Sequence, residues 1–158
     1  MSFQNNKGRG LPQAKSTTLQ SFGLLCFRLA VGAAFVLHGL QKTPDAMTWL
    51  GTESGIPPLM QAAAAYAELV GGAALMLGFL TPIASLFIMG TMIGAMVIVH
   101  IPAGHPFVSM GSSYELAMIY LMAAVMFFMV GPGYYSVDGL LMRDMNLDAE
   151  DRSVALGG

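Results

Sequence analysis

Four long apolar segments dominate this chain and constrain its fold more than any other feature. They cover residues 22–40, 59–79, 83–101 and about 116–133, and each is 18–21 residues long. At a rise of about 1.5 Å per residue, a helix of that length crosses the roughly 30 Å hydrocarbon core of a bilayer. Helices of a soluble core would show a polar face at helical period, which these segments lack. The segments therefore predict an all-α integral membrane protein folded as a four-helix bundle.

The composition excludes several other classes of protein. Charged residues make up 10% of the chain and apolar residues 55%, whereas soluble domains carry about 25% charged residues. The formal net charge of −2 lacks the basic excess that nucleic-acid binding requires. The single cysteine, Cys26, excludes a disulfide within the chain and a C-x-x-C redox motif. The expected partner is the lipid bilayer, and no nucleic acid is expected.

The polar flanks set the expected domain boundaries and orientation. We expect a flexible polar tail over residues 1–20, a transmembrane domain over 21–141 and a short tail over 142–158. A cleaved signal peptide is the alternative at the start, although the first apolar segment is too long for one. The two tails carry five lysine or arginine residues, whereas the loops carry only Lys42. The positive-inside rule then predicts cytoplasmic N- and C-termini in a multi-pass protein of the inner (plasma) membrane.

Small residues and methionines recur at helical spacing within the apolar segments. Gly90 and Gly94 form a G-x-x-x-G pair in the third segment, and Ala63, Ala67 and Gly71 are spaced by four in the second. Such spacing lets helix backbones approach closely, so it predicts helix packing. Methionine stripes in the third and fourth segments predict packing or lipid contact, with a copper path as the alternative.

Two charged residues fall inside the predicted membrane core. Arg28 lies about two turns into the first segment, and Glu68 lies near the middle of the second. Charges at such depth are costly and must be paired or hydrogen-bonded. We expect Arg28 and Glu68 to pair and to form the buried polar centre of the bundle. Two alternatives stay open: a structural ion pair that fixes helix register, and a proton-bearing carboxyl group beside a buried ligand.

A second polar group is expected at the other end of the bundle, towards the exterior. His38 and Lys42 are four residues apart and share a helix face. His100 ends the third segment, and Tyr114 and Glu115 open the fourth on the same side. The group is either a proton-exchanging, quinone-head or metal site, or polar decoration of the membrane interface. The candidate ligand-site residues are thus Arg28, Glu68, His38, Lys42, His100, Tyr114 and Glu115, with His105 in the adjacent loop.

No dedicated cofactor motif is visible in the sequence. His38 and His100 satisfy the requirement for paired haem ligands only loosely. The chain has no nucleotide-binding loop, no H-E-x-x-H helix and no nucleophile elbow. We therefore expect no metal site and no catalytic residue that the sequence identifies by itself.

Four ordered motifs resemble those of the DoxX family of small membrane proteins and cover roughly residues 22–141. They are R-x-x-x-G-x-x-F-x-x-H-G-x-x-K from Arg28, E-x-x-G-G from Glu68 followed by Gly78 and Thr81, His100 ahead of Tyr114-Glu115, and G-P-G-Y-Y-S-x-D from Gly131.

The resemblance implies a four-helix inner-membrane protein linked to redox complexes. Members of the family include a subunit of an archaeal terminal quinol oxidase, and a related subunit belongs to a thiosulfate:quinone oxidoreductase. Others are linked to thiol or oxidative stress. We therefore expect a quinone-linked accessory subunit of a membrane electron-transfer complex, not a self-sufficient enzyme, with quinone as its cofactor and other redox subunits or further copies as its partners. The alternatives are a non-enzymatic module that binds a lipid-like molecule or scaffolds a partner, and a small carrier, which would need dimerisation.

Overall fold

The computed structural model describes residues 18–145, whose regular secondary structure is helical with no strand. The predicted tails lie almost wholly outside this range. Residues 18–20, expected in the N-terminal tail, begin the first helix, and residues 142–145 continue a helical stretch that starts at 137. The helices are α1 (Thr18–Lys42), α2 (Pro58–Leu77), α3 (Thr81–Gly94, continued by a π-helical turn, Ala95–His100) and α4 (Glu115–Val130), with short 3₁₀ turns at Thr43–Asp45 and Thr52–Ser54.

Three of these helical stretches are long and apolar enough to cross a membrane. They are Thr18–Asp45, Pro58–Leu77 and Thr81–His100, which include the turns that extend α1 and α3. Helix α4 is shorter than expected: it has 16 residues and ends at Val130, because Gly131 adopts a φ of 84° that helical residues do not take. The G-P-G sequence thus lies outside the fourth helix.

The buried residues of each helix follow helical spacing and form one stripe. In α1 the stripe includes Arg28, Val31, Gly32, Phe35 and Gly39, which recur every three or four residues. Helices α1 and α2, α2 and α3, and α3 and α4 pack against one another. The outward-facing side chains are apolar rather than polar, as Leu37, Val70 and Phe87 illustrate at 60%, 63% and 58% exposure. An apolar outer surface suits a protein that is surrounded by the lipid of a bilayer.

Glycines allow the closest approach, which lies between α1 and α2. A Cβ atom on Gly72 would lie 2.8 Å from the carbonyl oxygen of Gly32, and one on Gly39 would lie 2.5 Å from the backbone nitrogen of Leu69. No side chain fits at such distances, so the two backbones touch directly there. This contact sets the relative depth of α1 and α2, and with it the depth of the charged residues they carry.

The turn between α2 and α3 is tight, and it makes the two helices antiparallel neighbours. Gly78 ends α2 with a φ of 64°, and Leu80 has a φ of 47°. The folded protein therefore has two ends along its helices. The loop end contains the connections 43–57 and 101–114. The termini end contains the turn at 78–80 and the segment 131–145. The polar side chains divide between these two ends.

Candidate functional site

Glu68 pairs with Lys42 and not with Arg28. The Nζ atom of Lys42 lies 2.7 Å from Oε1 and 2.5 Å from Oε2 of Glu68, so the amine donates to both carboxylate oxygens. The Glu68 side chain is 5% exposed and that of Lys42 is 19% exposed. The expected Arg28–Glu68 pair is wrong, because α1 crosses α2 at a depth that places Lys42, fourteen residues further along α1, beside Glu68.

The helix crossing explains why these two residues meet. Lys42 is the last residue of α1, and Gly39 lies one turn before it against the backbone of Leu69. The backbones are therefore in contact one residue away from Glu68, and the lysine side chain reaches the carboxylate from the helix end. A lysine at a helix end can extend along apolar surface while its amine stays near the polar boundary.

The loop between α1 and α2 places Trp49 against the Lys42–Glu68 pair. The Lys42 amine lies 4.3 Å from the centre of the Trp49 ring, a favourable cation–π distance. The Trp49 indole donates to the carbonyl oxygen of Gln61 over 3.0 Å. The buried Gln61 side chain accepts from Leu50 and donates to Ile56 across the loop. Trp49 was not among the predicted site residues.

A cavity of about 200 Å³ brings together most of the predicted residues of the loop end. We call it the polar cavity. It lies among α1, α2, α4 and the π-helical turn, and its polar lining is His38, Lys42, Glu68, His100, Ser113 and Tyr120. Tyr120 is a site residue that the sequence analysis missed. Its position in the sequence could have indicated it, because Tyr120 lies on the buried side of α4. The centre of its ring is 4.9 Å from that of Phe35 and 6.3 Å from that of His38.

An apolar groove of about 330 Å³ lies between α2 and α3, on the other side of the ion pair. We call it the apolar groove. It shares Lys42, Glu68 and Ala95 with the polar cavity. Its lining includes the small residues Ala63, Ala67, Gly90 and Gly94 and the outward-facing Leu86 and Phe87. The two spaces therefore meet at the Lys42–Glu68 pair.

Among residues 18–145, the G-x-x-x-G pair packs against no other helix, contrary to expectation. A Cβ atom on Gly90 or Gly94 would meet nothing within 4 Å. The close helix contact uses Gly32, Gly39 and Gly72 instead. Because both Gly90 and Gly94 line the apolar groove, their small size keeps that groove open.

The π-helical turn aims His100 into the polar cavity. Ile101 donates its backbone N–H to the carbonyl oxygen of Met96 over 2.9 Å, five residues back, which is the π-helical pattern that recurs at functional sites. The Nδ1 atoms of His100 and His105 lie 3.0 Å apart. The bond requires one ring to donate and the other to accept. Sequence periodicity predicted neither the π-helical turn nor this contact.

Tyr114 and Glu115 stand apart from the polar cavity. The Tyr114 ring packs against Phe107, with ring centres 5.4 Å apart, and its backbone caps α4 by accepting from Met118. Glu115 is half-buried in the first turn of α4, where a negative charge favours the helix N-terminus. Neither residue lines the polar cavity.

Arg28 belongs to the termini end, where it fastens the segment after α4. Its side chain is buried, and its guanidinium group donates to the carbonyl oxygens of Pro132 over 2.5 Å and Tyr135 over 2.6 Å, with a longer bond of 3.4 Å to Met76. The five donors of arginine suit several carbonyl acceptors at once. Arg28 is therefore a clamp between α1, α2 and the G-P-G-Y-Y sequence.

Asp138 completes the same end and was not a predicted site residue. Its carboxylate accepts from the backbone N–H of Leu80 over 2.8 Å and of Thr81 over 2.9 Å. It thus caps the N-terminus of α3 from a distant part of the chain, where its charge also suits the helix dipole. The cap lies beside the positive φ of Leu80, a conformation that costs an L-residue about 1–2 kcal/mol.

The volume of the polar cavity limits the size of the cofactor that it can hold. Ligand pockets usually measure about 300–1,000 Å³, so a cavity of about 200 Å³ fits a head group and not a haem. The haem hypothesis for His38 and His100 is therefore not supported by the space between them. Among residues 18–145, no group of three or more His, Cys, Asp or Glu side chains is arranged to hold a metal ion.

Comparison with known protein families supports the resemblance over the first three helices. A sequence profile of the DoxX family matches residues 23–101, half of the chain. The match includes Arg28, His38, Lys42, Glu68 and His100, and stops before Asp138. No curated protein and no solved structure matches the chain significantly. The chain belongs to the DoxX family of membrane proteins.

Proposed function

We propose that this DoxX-family protein binds a quinone as an accessory subunit of a membrane electron-transfer complex. The quinone head group occupies the polar cavity, and its isoprenoid tail lies in the apolar groove. The observation that carries the proposal is the meeting of these two spaces at the Lys42–Glu68 pair. An amphiphile with a compact polar head and an apolar tail matches this pairing of spaces.

The polar cavity offers the donors that a quinone carbonyl needs. Quinone carbonyl oxygens accept hydrogen bonds, and His38, His100 and Tyr120 carry N–H or O–H groups around the cavity. Lys42 adds a cation held in place by Glu68 and Trp49. A reduced quinone also donates, and the Glu68 carboxylate is an acceptor at the same wall. The cavity therefore suits both redox forms of the head group.

The apolar groove suits a flexible tail. Its walls are small and apolar, and side chains at its edge such as Leu86 and Phe87 are 51% and 58% exposed on the surface that faces lipid. Apolar ligands lie preferentially between the helices of a bundle. A lipid-soluble molecule reaches such a groove from the bilayer without crossing water.

The placement in the membrane is part of the proposal. We infer a four-helix transmembrane bundle in the plasma membrane, with α4 and the G-P-G sequence completing the fourth crossing and with both termini in the cytoplasm. The lysine and arginine distribution supports that orientation. A reporter fused to each terminus is expected to be inaccessible from outside the cell. External labelling of either terminus would contradict it.

The test is a solvent extraction of protein purified in mild detergent, with quinone per chain measured by mass spectrometry. The wild type is expected to carry near-stoichiometric quinone. Glu68→Gln and Gly94→Leu are expected to lose most of it, because one changes the head-group contact and the other fills the groove. Gly23→Leu is the matched control, since Gly23 also has open space around it but lies outside both spaces.

Two outcomes would overturn the quinone proposal. One is quinone in the wild type no higher than in an unrelated membrane protein purified from the same cells. The other is equal quinone in the wild type, Glu68→Gln and Gly94→Leu. Either result would favour the second candidate function.

The second candidate is a non-enzymatic module that holds a partner helix or a lipid-like molecule in the apolar groove. The observation that favours it is the unused G-x-x-x-G pair, because Gly90 and Gly94 present a backbone surface that a neighbouring helix can approach closely. A photo-crosslinking residue at Thr91, which lines the groove, is expected to capture one defined partner under this function. Crosslinks to bulk lipid alone would contradict the partner-helix form.

A further inference from the structure

The contact between His100 and His105 joins the polar cavity to the loop end of the protein. The two Nδ1 atoms are 3.0 Å apart, with their rings inclined at 61°. His100 lines the polar cavity, whereas His105 lies in the loop that follows, between the exposed residues Gly104 and Pro106. The histidine pair thus has one member at the cavity and the other, itself half-buried, in a loop whose neighbouring residues are exposed.

The backbone holds the pair in register. His105 donates its N–H to the carbonyl oxygen of His100 over 3.1 Å, and Gly104 donates to Ile101 over 3.0 Å. Gly104 turns the chain with a φ of 71°, which favours glycine. These bonds fold the loop back so that two rings five residues apart face each other.

We propose that His100 and His105 form a proton path between the polar cavity and the aqueous phase at the loop end. A proton binds Nε2 of His105, the shared proton passes from Nδ1 of His105 to Nδ1 of His100, and a proton leaves Nε2 of His100 into the cavity. One proton enters and one leaves, and no electron moves. The passage exchanges the tautomers of the rings, so both must reorient before the next proton follows.

The surroundings of the polar cavity favour this route over others. Towards the termini end, core side chains such as Phe35, Ile88 and Phe127 are at most 1% exposed. The apolar groove offers no chain of titratable groups beyond the ion pair itself. The titratable groups that face His100 across the cavity are His38 and Lys42 from α1, Glu68 from α2 and Tyr120 from α4.

The path deepens the proposed function and rests on it for the use of the proton. Reduction of a quinone to a quinol takes up two electrons and two protons, and the electrons would come from a partner redox subunit. The histidine pair would supply the protons from the loop end. The path itself is a property of the polar cavity and is measurable without any quinone.

The fluorescence of Trp49 reports the arrival of a proton in the polar cavity. It is the one tryptophan of the chain, and the Lys42 amine lies over its ring. A proton that arrives in the polar cavity adds a positive charge beside Lys42, whose amine lies over the Trp49 ring, so it changes the Trp49 emission. We would mix protein in nanodiscs from about pH 8 to about pH 5 in a stopped-flow fluorimeter, and compare the wild type with His105→Gln and His100→Gln. Glutamine keeps a hydrogen-bonding side chain but relays no proton at these pH values.

The two glutamine variants are expected to reach the wild-type end point about tenfold or more slowly. Ser112→Ala, an exposed change in the same loop, is the matched control and is expected to follow the wild-type rate. An equal rate in His105→Gln and the wild type would overturn the path. So would the absence of any Trp49 response in the wild type, because the cavity would then take up no proton over this range.

Quinone extracted from the same preparations separates this proposal from the function it rests on. A slow response in His105→Gln with full quinone content supports both. A slow response in a protein that holds no quinone supports the path and contradicts the quinone function. A wild-type rate in His105→Gln with full quinone content contradicts the path alone.

Discussion

Lys42 neutralises Glu68 from the end of α1, with its Nζ atom 2.7 Å from Oε1 and 2.5 Å from Oε2 of the carboxylate. This pair lines both the polar cavity and the apolar groove. A carboxylate that is 5% exposed in a membrane helix requires such a partner. Because the partner stands at a helix end, the two members of the pair are expected to respond differently to substitution.

Lys42→Met is expected to destabilise the protein more than Glu68→Gln. The methionine variant leaves a buried carboxylate without its cation, and breaking a buried pair in this way costs about 3–5 kcal/mol. In Glu68→Gln the lysine can extend towards the polar boundary, so we expect a loss of about 1–2 kcal/mol. Urea unfolding in detergent, followed by Trp49 fluorescence, measures both changes.

The double variant Lys42→Met/Glu68→Met is the control for this asymmetry. Removing both charges is expected to restore most of the stability that Lys42→Met loses, since replacing a buried pair by apolar side chains is often neutral. Additive losses in the double variant would show that the two charges do not depend on each other.

The sequence predicted the class of fold because apolar runs of membrane length have few alternatives. It also predicted Glu68 and the loop-end residues His38, Lys42 and His100 as site residues, because polar groups within a membrane are costly and are retained for a structural or functional role. It did not predict which cation Glu68 takes. That choice depends on the relative depth of α1 and α2, which the contact of Gly39 with Leu69 sets.

Arg28 is expected to matter for the termini end and not for the polar cavity. Arg28→Met leaves the carbonyl oxygens of Pro132 and Tyr135 without their charged donor, and hydrogen bonds to charged groups are worth about 1.5–3 kcal/mol each. Hydrogen exchange of the backbone over residues 131–145 is expected to rise sharply, with the amides of α2 near Glu68 unchanged. Faster exchange around Glu68 alone would contradict the clamp.

Arg143→Met is the matched control for the clamp. Arg143 is half-buried, donates to Gly139 and lies 4.1 Å from the centre of the Tyr134 ring. Its loss is expected to cost about 1 kcal/mol or less. If Arg28→Met and Arg143→Met lose equal stability, the buried hydrogen bonds of Arg28 contribute no more than the contacts of a charge at the surface.

Gly39→Ala is expected to separate α1 from α2 at the ion pair. The added Cβ would lie 2.5 Å from the backbone nitrogen of Leu69, and overpacking of this kind costs about 1–3 kcal/mol. Gly90→Ala is the control, because the same added atom meets nothing within 4 Å. The two variants are compared by thermal unfolding in detergent. A stable Gly39→Ala protein would contradict the backbone contact.

The glycines show where periodicity alone misleads. Gly90 and Gly94 have the spacing of a packing motif but face open space, whereas Gly32 and Gly72 are separated in sequence and meet in the fold. Spacing places small residues on one face of a helix, but it does not say which helix lies against that face. Pairings such as Asp138 with Thr81 escape sequence reasoning for the same reason.

Asp138→Ala is expected to weaken the start of α3. The carboxylate satisfies the backbone N–H groups of Leu80 and Thr81, and loss of an N-terminal cap costs about 0.5–2 kcal/mol. Asp138→Asn keeps a side-chain acceptor but loses the charge, so a smaller loss is expected. Asp144→Ala, an exposed acidic residue of the same segment, is the control. Unfolding free energies that do not differ between Asp138→Ala and Asp144→Ala would contradict the cap.

Ser85→Ala is expected to leave stability unchanged or to raise it. The Ser85 side chain is fully buried in α3, and its hydroxyl oxygen has no hydrogen-bond partner among the described residues. Burying a hydroxyl without a partner costs about 1–3 kcal/mol, and alanine also has the higher helix propensity. Ser136→Ala is the comparison, because that hydroxyl donates to Gly133 over 2.6 Å and accepts from Gly139 over 3.0 Å. We therefore expect opposite shifts of the unfolding temperature, upward or zero for Ser85→Ala and downward for Ser136→Ala. A clear loss in Ser85→Ala would mean that the hydroxyl has a partner in the membrane, such as a bound water.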